Sequence, residues 1–162
     1  MSKSRFAPRG LLVIALVIAA GTAQAASPLS PLAGTWSGGG TLSTSDGMQE
    51  RLRCRATYDV DGSGSEVNLN LRCASASYNF DLTGNAAYRG GAISGSWSES
   101  TRNASGTISG QASGDRIDAA ARGDNFSANL SLTTQGSRQT VSIRPQGASV
   151  TSVSLSLSRS GR

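Results

Sequence analysis

Two cysteines lie at matched positions within a stretch of polar and apolar alternation, and this feature constrains the fold more than any other. Residues 51–60 and 67–73 alternate with period two and are separated by the turn-forming residues 61–66. If the chain folds back at Ser63-Gly64, one face pairs Cys54 with Cys73, Ala56 with Leu71, Tyr58 with Leu69 and Val60 with Val67. A slip of one residue would move one strand's apolar side chains to solvent, so the pattern specifies this register.

The same hairpin predicts a disulfide bond. These are the only two cysteines of the sequence, and a cysteine pair in an exported chain is typical of a disulfide. Directly opposed residues of an antiparallel pair lie within bridging distance. The alternative is two free thiols or half of a metal site, but the chain has no histidine to complete a metal shell.

The rest of the chain after Pro31 continues the alternation, with glycine-rich breaks at short intervals and no helical spacing. It predicts an all-β fold, an antiparallel meander of about 8–10 short strands that closes into a small barrel. Two similar segments, 91–97 and 106–112, each contain Ile-Ser-Gly and are expected on adjacent strands. The aromatic residues in register with apolar neighbours should face one interior: Trp36, Tyr58, Phe80, Trp97 and Phe126.

The first 25 residues have the organisation of a cleaved signal peptide. A basic start with Lys3, Arg5 and Arg9 precedes the apolar run 11–20, and Ala23-Gln24-Ala25 is the small-x-small pattern that signal peptidase accepts. The apolar run is too short to span a bilayer, which needs roughly 20 residues. We therefore expect residues 1–25 to be a signal peptide, 26–33 a short linker and 34–160 a single barrel domain. With no cysteine for lipid attachment after the apolar run, the expected location is periplasmic or secreted.

Charge gives no reason to expect a nucleic-acid partner. Three of the 15 basic residues lie in the predicted signal peptide, which leaves 12 against 10 acidic residues. The mature chain is therefore close to neutral, and its overall pI near 10 depends partly on a removed segment.

The residue types needed for common catalysis are also missing. The chain has no histidine, and its single lysine lies in the signal peptide, so the usual general bases and activated nucleophiles are absent once both cysteines are bonded. Most of the carboxylates are expected to be solvated groups in turns or at outward strand positions. Gly38-Gly39-Gly40 lacks the Lys-Ser/Thr of a phosphate loop and is better explained as a sharp strand bend. We expect no enzymatic activity, no catalytic residues, no metal and no cofactor.

Gly34-Thr35-Trp36 resembles the Gly-x-Trp motif that opens the first strand of lipocalin-like (calycin) barrels. The resemblance implies that Trp36 plugs one end of the barrel and that an arginine of the last strand packs over it, a position that Arg159 occupies. The resemblance to these barrels covers the three residues of the motif and this arginine. More broadly, the chain resembles small exported proteins of Gram-negative bacteria, a similarity that implies no activity.

Four arginines form the one charged group that points to a partner. In the hairpin register, the face opposite the cysteines carries Arg51, Arg53, Arg55 and Arg72. Guanidinium groups suit phosphate and carboxylate, so these residues predict an anion patch, for example for an anionic envelope surface. The alternative is a solvated outer face, with Glu50 and Asp59 compensating part of the charge.

Two functional hypotheses remain. In the first, the barrel holds an apolar or amphipathic, lipid-like ligand. In the second, the barrel is filled, and the protein acts in the envelope as an interaction or inhibitor protein through its loops and arginine face. A membrane-spanning outer-membrane barrel is disfavoured, because it requires aromatic girdles and only 5% of the residues are aromatic.

Overall fold

In a computed structural model of the chain, which describes Gly21 and residues 26–161, ten antiparallel strands close into one barrel. A short 3₁₀ helix, Ser30–Leu32, precedes them. The strands are β1 (Gly34–Thr44), β2 (Gln49–Val60), β3 (Glu66–Ala74), β4 (Asn79–Arg89), β5 (Ala92–Glu99), β6 (Ala104–Ser113), β7 (Arg116–Gly123), β8 (Phe126–Gln135), β9 (Arg138–Gln146) and β10 (Val150–Arg159). The predicted all-β meander with barrel closure is confirmed. The predicted signal peptide lies outside the described residues, Gly21 excepted.

The topology is a meander in which each strand pairs with its neighbours in sequence, and β1 pairs with β10 to close the ring. All of these pairings are antiparallel. Connections of a few residues permit only hairpins between sequence neighbours, and because direction alternates along the meander, β1 and the tenth strand also run in opposite directions. The Ile-Ser-Gly copies lie on adjacent strands, where Ile93 of β5 faces Gly110 of β6. In the described part of the chain, no helix has the length and hydropathy of a membrane span.

The predicted hairpin register is confirmed between β2 and β3. Cys54 pairs with Cys73, and Tyr58 pairs with Leu69. The two cysteines form a disulfide with their Cα atoms 4.1 Å apart, and both are buried on the inner face. The bond therefore fastens two neighbouring strands from inside the barrel.

Glycines permit the closure between β1 and β10. A Cβ atom on Gly38 would lie 2.1 Å from the carbonyl oxygen of Ser156, and one on Gly40 would lie 1.7 Å from that of Ser154. No side chain can occupy these positions unless the strands move apart. The glycine run thus lies in a strand that the backbone of its neighbours approaches closely, whereas the sharp bend expected from the sequence stays a prediction.

Candidate binding site in the barrel

One end of the barrel is closed by the segment before β1, residues 26–33. Leu29 and Leu32, at the 3₁₀ helix, are almost fully buried, and the fully buried Trp36 donates from its indole N–H to the carbonyl of Leu32 at 2.7 Å. The segment expected to be a linker therefore packs into the barrel as a plug.

Arg159 fixes this plug from the end of the last strand. It is the register partner of Trp36, and its guanidinium carbon lies 4.3 Å from the centroid of the indole ring. The guanidinium also donates to the carbonyl of Pro31 at 2.6 Å and to the carbonyl of Ala33. This is the arrangement that the calycin resemblance implied for Trp36 and Arg159.

Near the same end, two linked side-chain hydrogen bonds run through the barrel interior. The hydroxyl of Tyr58 on β2 donates to the side-chain carbonyl of Gln139 on β9 at 2.9 Å, and the amide of Gln139 donates to Thr134 at 3.2 Å. Burial raises the pKa of Tyr58 far above its ordinary value, although the bond to Gln139 acts in the opposite direction. The phenol stays neutral, so these residues link β2 to β9 and β8 through the barrel interior without a buried charge.

Away from the plug, the two sides of the inner wall differ in packing. On β2 and β10 the inward side chains are buried along the strand, as Leu52, Ala56 and Leu155 illustrate. On β3, β4, β6, β8 and β9 many inward apolar residues are only half-buried: Leu71, Leu82, Ile108, Leu130, Val141 and Ile143.

Trp97 lies on this less tightly packed side. Its strand neighbours at the same level are Gly84 and Gly106, and its indole reaches across the inner wall, where its Cζ2 atom would lie 3.2 Å from a Cβ on Gly123. Its ring meets that of Phe126 edge-on, with centroids 5.6 Å apart. Trp97 is 6% exposed, and its indole nitrogen is the one buried side-chain polar atom of the described residues without a hydrogen-bond partner.

Glu99 follows Trp97 on the same inner face of β5. Its buried carboxylate accepts from the backbone N–H groups of Asp81 at 3.0 Å, Thr101 at 3.2 Å and Arg102 at 2.9 Å, and from the Thr101 hydroxyl. Burial would raise the pKa of Glu99, but these hydrogen bonds outweigh it and hold that pKa below its ordinary value. The anion orders the β5–β6 turn at the end opposite the plug.

Arg102 lies beside Glu99 at this end of the barrel. Its guanidinium lies 3.6 Å from the Glu99 carboxylate, and its central carbon lies 4.7 Å from the centroid of the Phe80 ring. It also donates to the Asn79 carbonyl at 3.0 Å, so that it ties the β5–β6 turn to the start of β4. No helix of the described residues covers this end, where five hairpin turns form the rim.

The structure places the four predicted patch arginines on the outer wall. Arg51, Arg53 and Arg55 are exposed along β2, and Arg55 faces Arg72 across the β2–β3 pair. Arg72 forms an ion pair with Asp81 of β4 at 3.2 Å. The Glu50 carboxylate accepts hydrogen bonds from the Ser75 hydroxyl and from the Ser77 backbone at 2.5 and 3.0 Å.

The rest of the outer wall is strongly polar. A row of hydroxyl and amide side chains runs across five strands in register: Thr57, Asn70, Thr83, Ser98 and Ser105. Thr83 and Ser98 are hydrogen-bonded at 2.8 Å. This row lines a groove of about 770 Å³. The outer wall thus presents polar groups where a lipid-facing barrel would present an apolar band.

Sequence reasoning missed Glu99 and the indole nitrogen of Trp97. The alternation contains a signal for Glu99, since a residue two positions after an inward tryptophan on the same strand also points inward. A missing hydrogen bond has no sequence signal. No group of three potential metal ligands occurs among the described residues.

The fold and interior define a ten-stranded antiparallel barrel plugged at one end. No protein-family model matches the chain, and no curated protein matches it. Solved structures do match, among them the crystal structure of Rv2717c from M. tuberculosis, with a TM-score of 0.66 and 14% sequence identity. The match covers 82% of this chain and 95% of that one. At this identity the likeness concerns the fold alone.

Proposed function

We propose that the protein is an exported, non-enzymatic barrel that binds an apolar or amphipathic ligand in its interior. The observation that carries this proposal is the uneven packing of the inner wall. Inward apolar side chains such as Leu71, Leu130 and Ile143 remain half-buried, while the plug end is tightly packed. Side chains that point inward and keep solvent access border unfilled space, and barrels near this size hold one small ligand.

The direct test is to extract the purified protein with organic solvent and to identify released molecules by mass spectrometry. A fluorescent apolar probe then measures binding to the emptied protein. The Ala119→Phe variant fills inner space, whereas Ala120→Phe adds the same bulk to the outer wall one residue later. We expect Ala119→Phe to weaken probe binding and Ala120→Phe to leave it unchanged. Equal binding by both variants would place the probe outside the barrel.

A lipocalin-like assignment is part of this proposal. It is supported by the plug formed by Trp36, Arg159 and the 3₁₀ helix. The strand number of ten exceeds the eight of lipocalins, so the likeness concerns the closed end and the mode of binding.

We place the mature protein in the periplasm or the medium of a Gram-negative bacterium. A disulfide-bonded small barrel fits an oxidising compartment, and the chain starts with a signal-peptide pattern. N-terminal sequencing of material released by osmotic shock should begin at or near Ala26. Recovery from the membrane fraction with an intact N-terminus would contradict this location.

A second candidate function rests on the exposed arginines of β2. Arg51, Arg53 and Arg55 stand on one side of one strand, and no ion pair to them occurs in the described part of the chain. An anionic envelope surface would bind them more weakly as salt rises. In a vesicle-binding assay, the triple variant Arg51→Gln, Arg53→Gln, Arg55→Gln should no longer adsorb to anionic lipid. The matched control Arg116→Gln, Arg122→Gln, Arg138→Gln removes three outer-wall charges elsewhere. Absence of wild-type adsorption would reject this function and leave the interior proposal intact.

A further inference from the structure

The groove on the outer wall of β2 to β6 is lined by two rows of short polar side chains. Its volume is about 770 Å³. The first row runs in register from Thr57 to Ser105. The second row lies two residues nearer the plug end on each strand and is in register as well: Asn68, Asn85, Ser96 and Thr107. The side chains of both rows are exposed, so a partner in solvent reaches them directly.

Cross-strand hydrogen bonds hold part of this surface in place. Thr83 and Ser98 are bonded at 2.8 Å in the first row, and the Asn85 amide donates to Ser96 at 3.0 Å in the second. Serine, threonine and asparagine side chains have few rotatable bonds, so little conformational entropy is lost when a partner binds them. The two rows are therefore a preformed array of donors and acceptors.

The near absence of charge distinguishes this groove from other parts of the outer wall. Asp59, at the β2 edge, is the one charged side chain among the residues that line it. Arg55 and Arg72 lie in the next row away from the plug, and Arg122 lies on β7 beyond the second row. A second outer-wall groove, of about 620 Å³, is lined by three charged residues: Arg116, Asp118 and Arg144. The uncharged character is thus local to the groove on β2 to β6.

This chemistry excludes several classes of partner. Nucleic acid and anionic lipid require cations, and the residues that line the groove include no arginine or lysine. Stable protein interfaces centre on aromatic or arginine anchors, whereas Leu69 and Trp97, the large apolar residues at this groove, occupy inward register positions. The rows instead suit an uncharged partner with many hydroxyl groups, because a hydroxyl both donates and accepts.

The dimensions of the groove favour an extended partner. One sugar unit of a polysaccharide extends about as far as the spacing between neighbouring strands. At about 4.8 Å per spacing, the five strands of the groove span roughly 19 Å, which is the length of about four sugar units. At one edge, the Asp59 carboxylate has two oxygens that accept hydrogen bonds from neighbouring hydroxyls of a sugar, and its charge repels an anionic chain.

We infer that this groove binds a chain of uncharged polysaccharide, whose hydroxyl groups form hydrogen bonds with the two rows. The inference assigns a second binding surface, on the outer wall, and does not depend on the proposed interior ligand.

Affinity electrophoresis tests the inference. The full-length mature protein is run through native gels that contain one soluble uncharged polysaccharide each: dextran, mannan, laminarin or hydroxyethyl cellulose. At least one of them should retard the protein relative to a gel without polysaccharide. The retardation should be the same at low and high salt, because hydrogen bonds between uncharged groups are not subject to the ionic screening that weakens charge pairs.

A matched pair of double variants locates the binding. Thr83→Ala, Ser98→Ala removes a cross-strand hydroxyl pair from the first row. Thr140→Ala, Ser156→Ala removes the same two residue types from β9 and β10, where they are exposed register partners outside the groove. We expect the groove variant to weaken binding about 5-fold or more and the control variant to bind as the wild type does.

A second readout uses the wild type alone. In NMR spectra of ¹⁵N-labelled protein, oligosaccharides cut from the retarding polysaccharide should shift the side-chain amide signals of Asn68, Asn70 and Asn85. The amide signal of Asn129, on the outer wall of β8, should stay in place as an internal control.

Four results would overturn the inference. The first is that no polysaccharide of the panel retards the protein, and the second is that the two double variants bind equally. Retardation that disappears at high salt would assign the binding to the exposed arginines. A dimer that sedimentation detects in the wild type and that Thr83→Ala, Ser98→Ala dissociates would assign the groove to a second copy of the chain. None of these results bears on the interior ligand, which solvent extraction tests separately.

Discussion

Arg159 lies over the ring of Trp36, with 4.3 Å between the guanidinium carbon and the ring centroid. The two residues belong to the last and first strands, which pair to close the barrel. Through the carbonyls of Pro31 and Ala33, the same guanidinium holds the segment that plugs this end. One side chain thus links strand closure to plug docking.

Replacing Arg159 by Met should therefore destabilise the protein. The change removes the cation–π contact and two charge-assisted hydrogen bonds, a loss of about 1–3 kcal/mol in the free energy of unfolding. Arg159→Lys should restore only part of it, because an ammonium cannot reach both carbonyls and the ring in the same way. Urea unfolding measures both values. Arg138→Met, an exposed change on β9, is the control, and equal stability of the two Met variants would show that the plug contact contributes nothing.

The disulfide should contribute about 3 kcal/mol, since it closes a loop of roughly 20 residues in the unfolded chain. The double variant Cys54→Ala, Cys73→Ala removes the bond and retains small apolar side chains at two buried positions. Thermal unfolding, compared with wild type under oxidising and reducing conditions, measures the difference. A reduced wild type as stable as the oxidised protein would contradict this assignment.

Closure between β1 and β10 should not tolerate a methyl group at Gly40. Gly40→Ala would bring Cβ to 1.7 Å from the Ser154 carbonyl oxygen. The strands must separate, at a cost of about 1–3 kcal/mol. Gly62→Ala, in the β2–β3 turn with open space around it, is the matched control and should leave the melting temperature nearly unchanged. A tolerated Gly40→Ala would mean that β1 and β10 separate readily at this position.

Glu99 predicts a specific acid sensitivity. Its hydrogen bonds lower its pKa in the folded protein below the ordinary 4.5. The stabilisation is fully present above that ordinary value and is lost as pH falls through the lower folded pKa. Glu99→Gln should cost about 1–3 kcal/mol at neutral pH, and the difference from wild type should shrink at acid pH. Urea unfolding at several pH values checks it, and a pH-independent difference would assign the loss to packing.

Trp97 should also carry a large share of the stability of the inner wall. Trp97→Ala deletes a side chain that is 6% exposed and should lower the free energy of unfolding by about 3–5 kcal/mol. Met48→Ala, which changes a residue 53% exposed in the β1–β2 turn, should have little effect. An unchanged melting temperature of Trp97→Ala would mean that β5 turns its other face inward.

Much of this fold could be predicted from the local pattern of polar and apolar residues. Because a strand's side chains alternate with period two, the apolar set that includes Cys54 and Tyr58 allowed one register with β3, and that register is observed. The short turns left no alternative to an antiparallel meander. The inward aromatic set is observed as well, with Trp36, Tyr58 and Trp97 buried and Phe80 and Phe126 half-buried.

The sequence by itself therefore determined the strands, the hairpin register and the disulfide, since all depend on residues that are near in the chain. Only the tertiary structure decided how residues 26–33 pack as a plug, how Asp81 pairs with Arg72, and why Glu99 is buried. It also decided that Trp97 lacks a hydrogen-bond partner. These features depend on which side chains the closed sheet brings together across the ring. Period-two alternation determines only the face on which each residue lies, so it contains no information on those contacts.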